Sequence, residues 1–276
     1  MADFIQKTKR LVKLSSVIAQ YGFDELFKRG DLEKYLPGNI KRKYSDKIDE
    51  INACTFYERI RMAIEEMGPV YVKFGQMLSN RKDILPEEML LQLQKLQDNV
   101  EIEEVDVRKK MNLELGIEVD DYFSEIEEEP MASASIGQVF RGKLKNGEKV
   151  VVKIQRENIK PVIEADLEIM KNLAKTLENY YEEMKKMNIA DVVESFEKML
   201  NEELSLSNEL RNIERFANNF KGDERIHVPI VYKHLSNNHI LTMEMIEGFK
   251  ITDKEKIVEI GKKPEEIART GLDLYL

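Results

Sequence analysis

The sequence predicts an α+β fold in which an antiparallel sheet with accompanying helices follows an all-helical N-terminal region. Apolar residues recur with helical spacing through residues 1–118. Residues 119–247 then contain short runs rich in β-branched and aromatic residues, and Asn146-Gly147 between two of them is a strong hairpin signal. A long helical stretch separates the first of these runs from the last. Together these observations predict an antiparallel sheet interrupted by helices.

The composition excludes several classes of function. The net charge of −9 over 276 residues argues against nucleic acid as a partner, because no basic region is present to meet a phosphate backbone. Cys54 is the single cysteine, so disulfides are excluded and a reducing, cytoplasmic compartment is expected. The spacings of His227, His234 and His239 fit no metal motif, so no metal site is predicted. No apolar run is long enough to span a membrane.

The N-terminal segment FIQKTKRLVKLSSVIAQYGF predicts an amphipathic helix. Its apolar side is predicted to carry Ile5, Leu11, Val12, Ile18 and Ala19. Its start carries the basic residues Lys7, Lys9, Arg10 and Lys13. The first interpretation is a helix that packs on the rest of the domain. The alternative is a helix lying on a membrane surface, which acidic lipid headgroups would attract.

Prolines and a glycine delimit the next predicted helices. Pro69 stands at the first turn of a helix through VYVKFGQMLSN, where its missing N–H is not needed. Pro86 opens the helix EEMLLQLQKLQ, whose first acids favour the positive helix end. Gly116 is a C-cap signal for a helix around VDVRKKMNLELG.

The predicted strands follow in a characteristic order. YFSEIEEEP, QVFRGKL and EKVVVKIQ predict the first three strands, and HVPIVYKHL and HILTMEMI predict two more. The stretches VIEADLEIMKNLAKTLENYYEEM and DVVESFEKMLNEELSLSNELRNIERFANNF, between the third and fourth strands, are helical in period. This order is that of the small lobe of a protein kinase.

In such a lobe, a lysine on the third strand holds nucleotide phosphates and a glutamate on a helix holds that lysine. Lys153, within VVVKIQ, is the candidate lysine. A lysine in an apolar strand needs a partner for its charge, because burying it alone is costly. Taken by itself, Lys153 is equally well explained as a side chain that reaches out to solvent.

Three stretches taken together resemble the UbiB family of atypical kinases, also called the ADCK or aarF-domain family. They are GPVYVKFGQMLSNRKDILP, ASASIGQVFRGKLKNGEKVVVKIQ and NELRNIERFANNF, and the resemblance extends from about Tyr21 to the end of the chain. Lys73, Gly75 and Gln76 match the Lys-x-Gly-Gln signature of the family's helical extension, which is understood to lie where a protein substrate would dock. We therefore expect these residues to have a regulatory role.

The resemblance also implies a nucleotide site. Lys153 matches the family's phosphate-binding lysine and Glu209 its helix glutamate. Glu203 matches the glutamate of the family's Glu-x-Asp pair and is expected to share the regulatory role of the Lys-x-Gly-Gln residues. The hinge against adenine is expected at Glu244 to Gly248, with Glu244 and Met245 as contacts. The family's alanine-rich loop is matched by Ala132, Ser133, Ala134 and Ser135, followed by Gly137.

Alanine in place of glycine in this loop predicts a stiffer loop with a different grip on phosphate, because glycine alone tolerates positive φ without penalty. In the family this substitution goes with altered nucleotide selectivity and weak protein phosphorylation. The resemblance therefore implies binding of ATP or ADP, with Mg²⁺ only in a full-length form. The implied chemistry is ATP hydrolysis or phosphorylation of a small lipid-like substrate. The implied biology is isoprenoid-quinone metabolism, ubiquinone above all, at membranes.

The sequence divides into a helical extension (1–118), a kinase-like small lobe (119–247), and a hinge with the start of a large lobe (248–276). Ser205 replaces the aspartate of Glu-x-Asp, which puts one contact to Lys73 or Gln76 in doubt. The family's catalytic loop and metal-binding aspartate would lie beyond Leu276. We therefore expect the 276-residue chain to lack phosphoryl-transfer activity and to expose apolar surface that promotes self-association. The alternative function is a non-catalytic module that binds lipid or a partner.

Overall fold

The structure is a computed structural model that describes residues 2–23, 51, 53–96 and 102–275. The chain forms two compact units built from interleaved segments. The first unit comprises Met1–Glu104, Ala132–Gln138 and Gln155–Ser205. The second comprises Val105–Met131, Val139–Ile154 and Leu206–Leu276. The predicted division at residues 118 and 247 follows chain order instead, and it stays a prediction about the family's functional parts.

Helices and short antiparallel strands make up both units, which confirms the predicted α+β class. The described helices are α1 (Ala2–Gln20), α2 (Phe56–Met67), α3 (Pro69–Leu78), α4 (Glu87–Leu93), α5 (Val107–Leu115), α6 (Ile159–Tyr180), α7 (Glu182–Lys186), α8 (Ile189–Glu203), α9 (Leu206–Asn219), α10 (Lys254–Glu259) and α11 (Pro264–Tyr275). The strands are β1 (Phe123–Ile126), β2 (Ala132–Ser133), β3 (Gly137–Leu144), β4 (Lys149–Gln155) and β5 (Ile240–Glu244).

The first unit is mainly helical, and local sequence signals set its helix ends. A capping box starts α2: the Thr55 hydroxyl accepts from the Glu58 N–H, and the Glu58 carboxylate accepts from the Thr55 N–H. Pro69 opens α3 as predicted. The main apolar cluster of this unit packs α3, α6 and α8 together, and it includes Phe196, which is fully buried. These helices therefore share one core.

Helix α1 packs on α2 and α6, as the first interpretation of the N-terminal segment requires. The predicted apolar side is buried only in part. Leu11, Ile18 and Ala19 are half-buried and Val12 is exposed, whereas the buried apolar residues of the helix are Leu14 and Val17. Arg10 explains the orientation, because its guanidinium reaches the buried Asp166 of α6 and draws its own side of the helix inward.

The second unit contains most of the sheet, whose strands run in the order β1-β3-β4-β5. The short strand β2 pairs with β3 beside this path and is assigned to the first unit. Both β1–β3 and β4–β5 are antiparallel. The predicted hairpin joins β3 to β4, where Gly147 adopts a φ of 94° and the Asn146 side chain accepts from the Glu148 N–H. One face of the sheet carries the core of this unit, including Phe140, Val150 and Val152, and α5 covers it.

Two predicted elements differ in the structure. HVPIVYKHL is not a regular strand: Val231 makes an isolated bridge to Met243, and Lys233–Leu235 form a 3₁₀ turn. Pro229 lacks the N–H that a continuous ladder would need, which accounts for the interruption. The second long helical stretch is divided into α8 and α9 at Leu204 and Ser205.

Candidate functional site

Lys153 and Glu209 form an ion pair within the second unit. Along β4, Val150, Val152 and Ile154 belong to the core, so Lys153 lies on the opposite face of the strand. Its Nζ is 2.6 Å from Oε2 of Glu209, and the two side chains are 26% and 36% exposed. The predicted pairing is therefore present, and both groups remain partly accessible to solvent. Their role in holding phosphate stays a prediction.

Helix α9 positions Glu209 in its first turn. Leu206, the first residue of α9, is buried, and its N–H donates to the Asn238 carbonyl just before β5. Helix α9 packs on β5, the strand beside β4. Glu209 lies three residues after Leu206, so it shares that side of the helix and faces the sheet. An acid in this turn is also favoured by the positive end of the helix.

The predicted hinge begins where β5 ends, in the same unit. The Glu244 N–H donates to the Ile230 carbonyl at 2.8 Å, and the Met245 N–H donates to the Lys149 carbonyl at 3.0 Å. The Glu244 carboxylate accepts from the Ile230 N–H and lies 2.9 Å from Nε2 of His227. These contacts, first the hydrogen bond from Ile230 and then that from His227, hold the pKa of Glu244 below its ordinary value.

Register gives the spacing between the hinge and the lysine. Lys153 stands opposite Leu241 and Val150 stands opposite Glu244, so three residues separate the two positions along the strands. This is a distance of about 10 Å. The N–H groups of Glu244 and Met245 are both bonded within the fold, and contact of this hinge with a base stays a prediction.

The predicted phosphate loop, Ala132 to Gly137, belongs to the first unit. The Ala134 N–H donates to the Gly137 carbonyl, which closes a tight turn. The turn residues Ser135 and Ile136 are both buried, and Ile136 packs in the core cluster shared by α3, α6 and α8. None of the loop residues from Ala132 to Ile136 has a positive φ. Alanine and serine therefore fit this loop without backbone strain.

Arg156 is a residue that the sequence interpretation missed. Its guanidinium, nearly fully buried, donates to the Ala134 carbonyl at 3.0 Å, to Oγ of Ser133 at 2.7 Å and to the Glu103 carboxylate at 2.6 Å. Its backbone N–H also donates to the Ile136 carbonyl. The sequence signal was weak, because arginine after a strand is mostly solvent-exposed. The contact can be identified only in the folded loop, where the Ala134 carbonyl points toward Arg156.

The Lys-x-Gly-Gln residues lie on α3 in the first unit. Lys73 Nζ is 2.5 Å from Oε2 of Glu203 at the end of α8, so the structure contains the predicted approach of these two residues. Gly75 faces Leu93 and Leu96, and Gln76 donates to the Leu96 carbonyl at 3.3 Å. Their regulatory role stays a prediction.

The described residues contain neither a metal-binding cluster nor a membrane-spanning helix. Within residues 2–23, 51, 53–96 and 102–275, no three acidic, histidine or cysteine side chains come together as a metal site would require. In the same ranges, no helix combines the length and the apolar character needed to cross a bilayer.

Comparison with known proteins assigns the family. The sequence profile of the ABC1 atypical kinase-like domain matches residues 95–276. The chain belongs to this UbiB-type family of atypical kinases. The probable protein kinase UbiB of Aliivibrio fischeri (strain ATCC 700601 / ES114) is 37% identical over 276 residues, covering 97% of this chain and 49% of the relative. The protein of the same name from Aeromonas salmonicida (strain A449) is 34% identical over 275 residues, with the same coverage.

The chain therefore spans about half the length of the curated UbiB relatives that it matches. A solved structure, the Rv3197–erythromycin complex from Mycobacterium tuberculosis, is 25% identical with a TM-score of 0.44. That match covers 78% of this chain and 54% of the solved chain.

Proposed function

We propose that this chain binds ATP or ADP as part of a UbiB-type atypical kinase or ATPase, and that Lys153 contacts the phosphates. The observation that carries the proposal is the Lys153–Glu209 pair at 2.6 Å. An ammonium held by one carboxylate and still 26% exposed is oriented yet reachable, which suits contact with a polyphosphate. Glu209 orients the ammonium, and the carbonyls of Glu244 and Met245 are candidates for contacts with the base.

ATP would supply the phosphoryl group. The alanine-rich loop is proposed from the resemblance as a second contact for phosphate. Transfer to an acceptor, Mg²⁺ binding and a link to ubiquinone-type lipids are proposed for a whole protein of the relatives' length. A cytoplasmic location belongs to the same proposal, because a sequence whose single cysteine is Cys54 suits a reducing compartment. Attachment to the membrane surface is proposed from the resemblance to the family.

Nucleotide titration with a calorimeter tests this proposal. The 276-residue chain should bind ADP and ATP. Lys153→Ala should weaken binding by at least about tenfold, because a hydrogen bond to a charged group contributes about 1.5–3 kcal/mol. Lys143→Ala, at an exposed lysine of the neighbouring strand β3, is the matched control and should bind like the parent.

Two results would contradict the proposal. A folded parent chain that bound neither nucleotide would favour the alternative, a non-catalytic module for lipid or a partner. Equal nucleotide affinity in Lys153→Ala and the parent would remove Lys153 from the site. Glu209→Gln should lie between them, because the ammonium stays while its carboxylate partner is lost.

A further inference from the structure

Arg156 ties the alanine-rich loop to a second segment of the first unit. Three of its guanidinium contacts reach different groups: the Ala134 carbonyl, the Ser133 hydroxyl and the Glu103 carboxylate. Glu103 is itself held, because the Gln138 side chain donates to its carbonyl at 3.1 Å. The planar guanidinium fits several acceptors in fixed directions, which a lysine ammonium does not do.

The buried position of Arg156 excludes a direct role toward a nucleotide. Its side chain is only 4% exposed, and its charge is matched by the Glu103 carboxylate at 2.6 Å. In the loop, by contrast, Ala132 and Ala134 are exposed. The loop therefore has an inner side held by the protein and an outer side that faces solvent.

Ile136 fixes the loop from its other end. Its side chain, 8% exposed, packs with Val70 of α3 and Ile163 of α6. The loop is thus held at its turn by Ile136 and, at Ser133 and Ala134, by the Arg156 guanidinium. It therefore has little freedom to close over a ligand. Such a loop has its shape before any ligand arrives, which lowers the entropy lost on binding.

We propose that Arg156 is a positioning residue that holds the alanine-rich loop in one shape ready for nucleotide phosphate. The proposal rests on the proposed nucleotide-binding function. Arg156 stabilises a preformed loop through Ser133 and Ala134, where a glycine-rich loop would instead adapt to its ligand. The loop's rigidity thus comes from a side chain three residues beyond Lys153 in the chain.

Two matched conservative substitutions test the proposal. Arg156→Lys keeps the charge beside Glu103 but cannot reach all three acceptors. Arg10→Lys makes the equivalent change at another partly buried arginine of the same unit, which binds Asp166 and the Met67 carbonyl. Arg156→Lys should weaken ADP binding about tenfold and speed amide hydrogen exchange in residues 132–137. Arg10→Lys should lower the melting temperature without changing either quantity.

Ser133→Ala provides a second, milder variant that removes one acceptor of the guanidinium. It should weaken ADP binding about threefold in the parent and have no further effect beside Arg156→Lys. If Arg156→Lys does not fold, hydrogen exchange in Ser133→Ala decides, because Ser133 is itself a predicted phosphate contact. Unchanged exchange in residues 132–137 of that variant overturns the proposal. Parent-like affinity in a folded Arg156→Lys chain also overturns it.

Hydrogen exchange separates failure of this proposal from failure of the nucleotide-binding function. If the parent chain binds no ADP, nucleotide binding is excluded. Faster exchange of the loop in Arg156→Lys, but not in Arg10→Lys, would then still support the positioning role. Unchanged exchange of the loop in Arg156→Lys would overturn that role.

Discussion

Gly75 occupies a position in α3 where a side chain would collide with buried leucines. A Cβ built there lies 2.4 Å from Cδ1 of Leu96 and 3.3 Å from Cδ2 of Leu93. Gly75→Ala should therefore lower the free energy of unfolding by about 1–3 kcal/mol, because both leucines are buried and must shift. Denaturant titration measures the change.

Gly271 is the matched control for Gly75. It also lies inside a helix, α11, and a Cβ there meets no atom within 4 Å. Gly271→Ala should raise stability by up to about 1 kcal/mol, because alanine is the better helix former. Equal effects at the two glycines would contradict the role assigned to close packing of α3.

Glu244 should make stability depend on acid pH. Its pKa in the folded chain lies below the ordinary value of 4.5, chiefly because the Ile230 N–H donates to its carboxylate and next because His227 does. The stabilisation is therefore present above pH 4.5 and is lost as the pH falls through the folded pKa. The stability difference between the parent and Glu244→Gln should shrink across that window in denaturant titrations. A difference that stayed constant with pH would contradict the prediction.

Single residues were predictable where a charge had to be paired. Lys153 and Glu209 could be matched from the strand position and the family's pattern, and Lys73 and Glu203 likewise. Arg156 was not predictable, because its partners include a backbone carbonyl and a hydroxyl whose positions exist only after the loop folds. Sequence patterns report residue types and do not report where backbone carbonyls point.

At the scale of elements, a buried ion pair joins α1 to α6. Asp166 is fully buried, and Arg10 contacts both of its carboxylate oxygens. Burial raises the pKa of Asp166 despite the opposing effect of Arg10, so removal from water is a substantial penalty in this pair. Arg10→Met alone should lower the free energy of unfolding by about 3–5 kcal/mol, because it leaves a buried carboxylate unpaired.

Replacing both partners should restore stability. The free energy of unfolding of the Arg10→Met, Asp166→Leu double variant should be within about 1 kcal/mol of the parent value or higher, because no buried charge is left without a partner. The exposed pair Lys160–Glu164, at 4.0 Å, is the control, and Lys160→Met should change stability by less than about 1 kcal/mol. If the double variant were as unstable as Arg10→Met, the loss of stability would come from lost packing and not from the unpaired charge.

Elements with explicit end signals were predicted well. Pro69, Gly116 and the Asn146-Gly147 turn each stand where the structure begins, ends or reverses an element. The prediction was wrong for HVPIVYKHL, whose apolar alternation resembles a strand although Pro229, a local signal, interrupts the ladder. In α1 a long-range contact decides which residues are buried, because the Arg10 guanidinium binds Asp166 of α6.

For the whole molecule, exposed apolar side chains near the C-terminal end of the second unit predict self-association. They are Ile246, Phe249, Ile251, Val258, Ile260 and Leu272. Light scattering on the 276-residue chain should show an average mass that rises with concentration, because burying such surface is favourable. Ile251→Lys with Ile260→Lys should reduce this rise, whereas Leu113→Lys, at an exposed leucine of α5, should not. A monomer at all concentrations would contradict the prediction.

The interleaving of the two units could not be predicted from the sequence. Periodicity and turn signals are local, whereas each unit gathers segments that are far apart in the chain. The three predicted divisions therefore follow motif order, and motif order does not reveal which helices share a core.

The family profile begins at residue 95, but this position lies inside the first segment of the first unit, Met1–Glu104. A protein trimmed to that start would keep Asp166, Glu203 and Ile136 while discarding Arg10, Lys73 and Val70, their respective neighbours. One buried carboxylate would lose its counter-charge, and a shared core would be left open on one side. The family profile and the packed core therefore have different limits in this chain, and expression trials should include α1 rather than begin at residue 95.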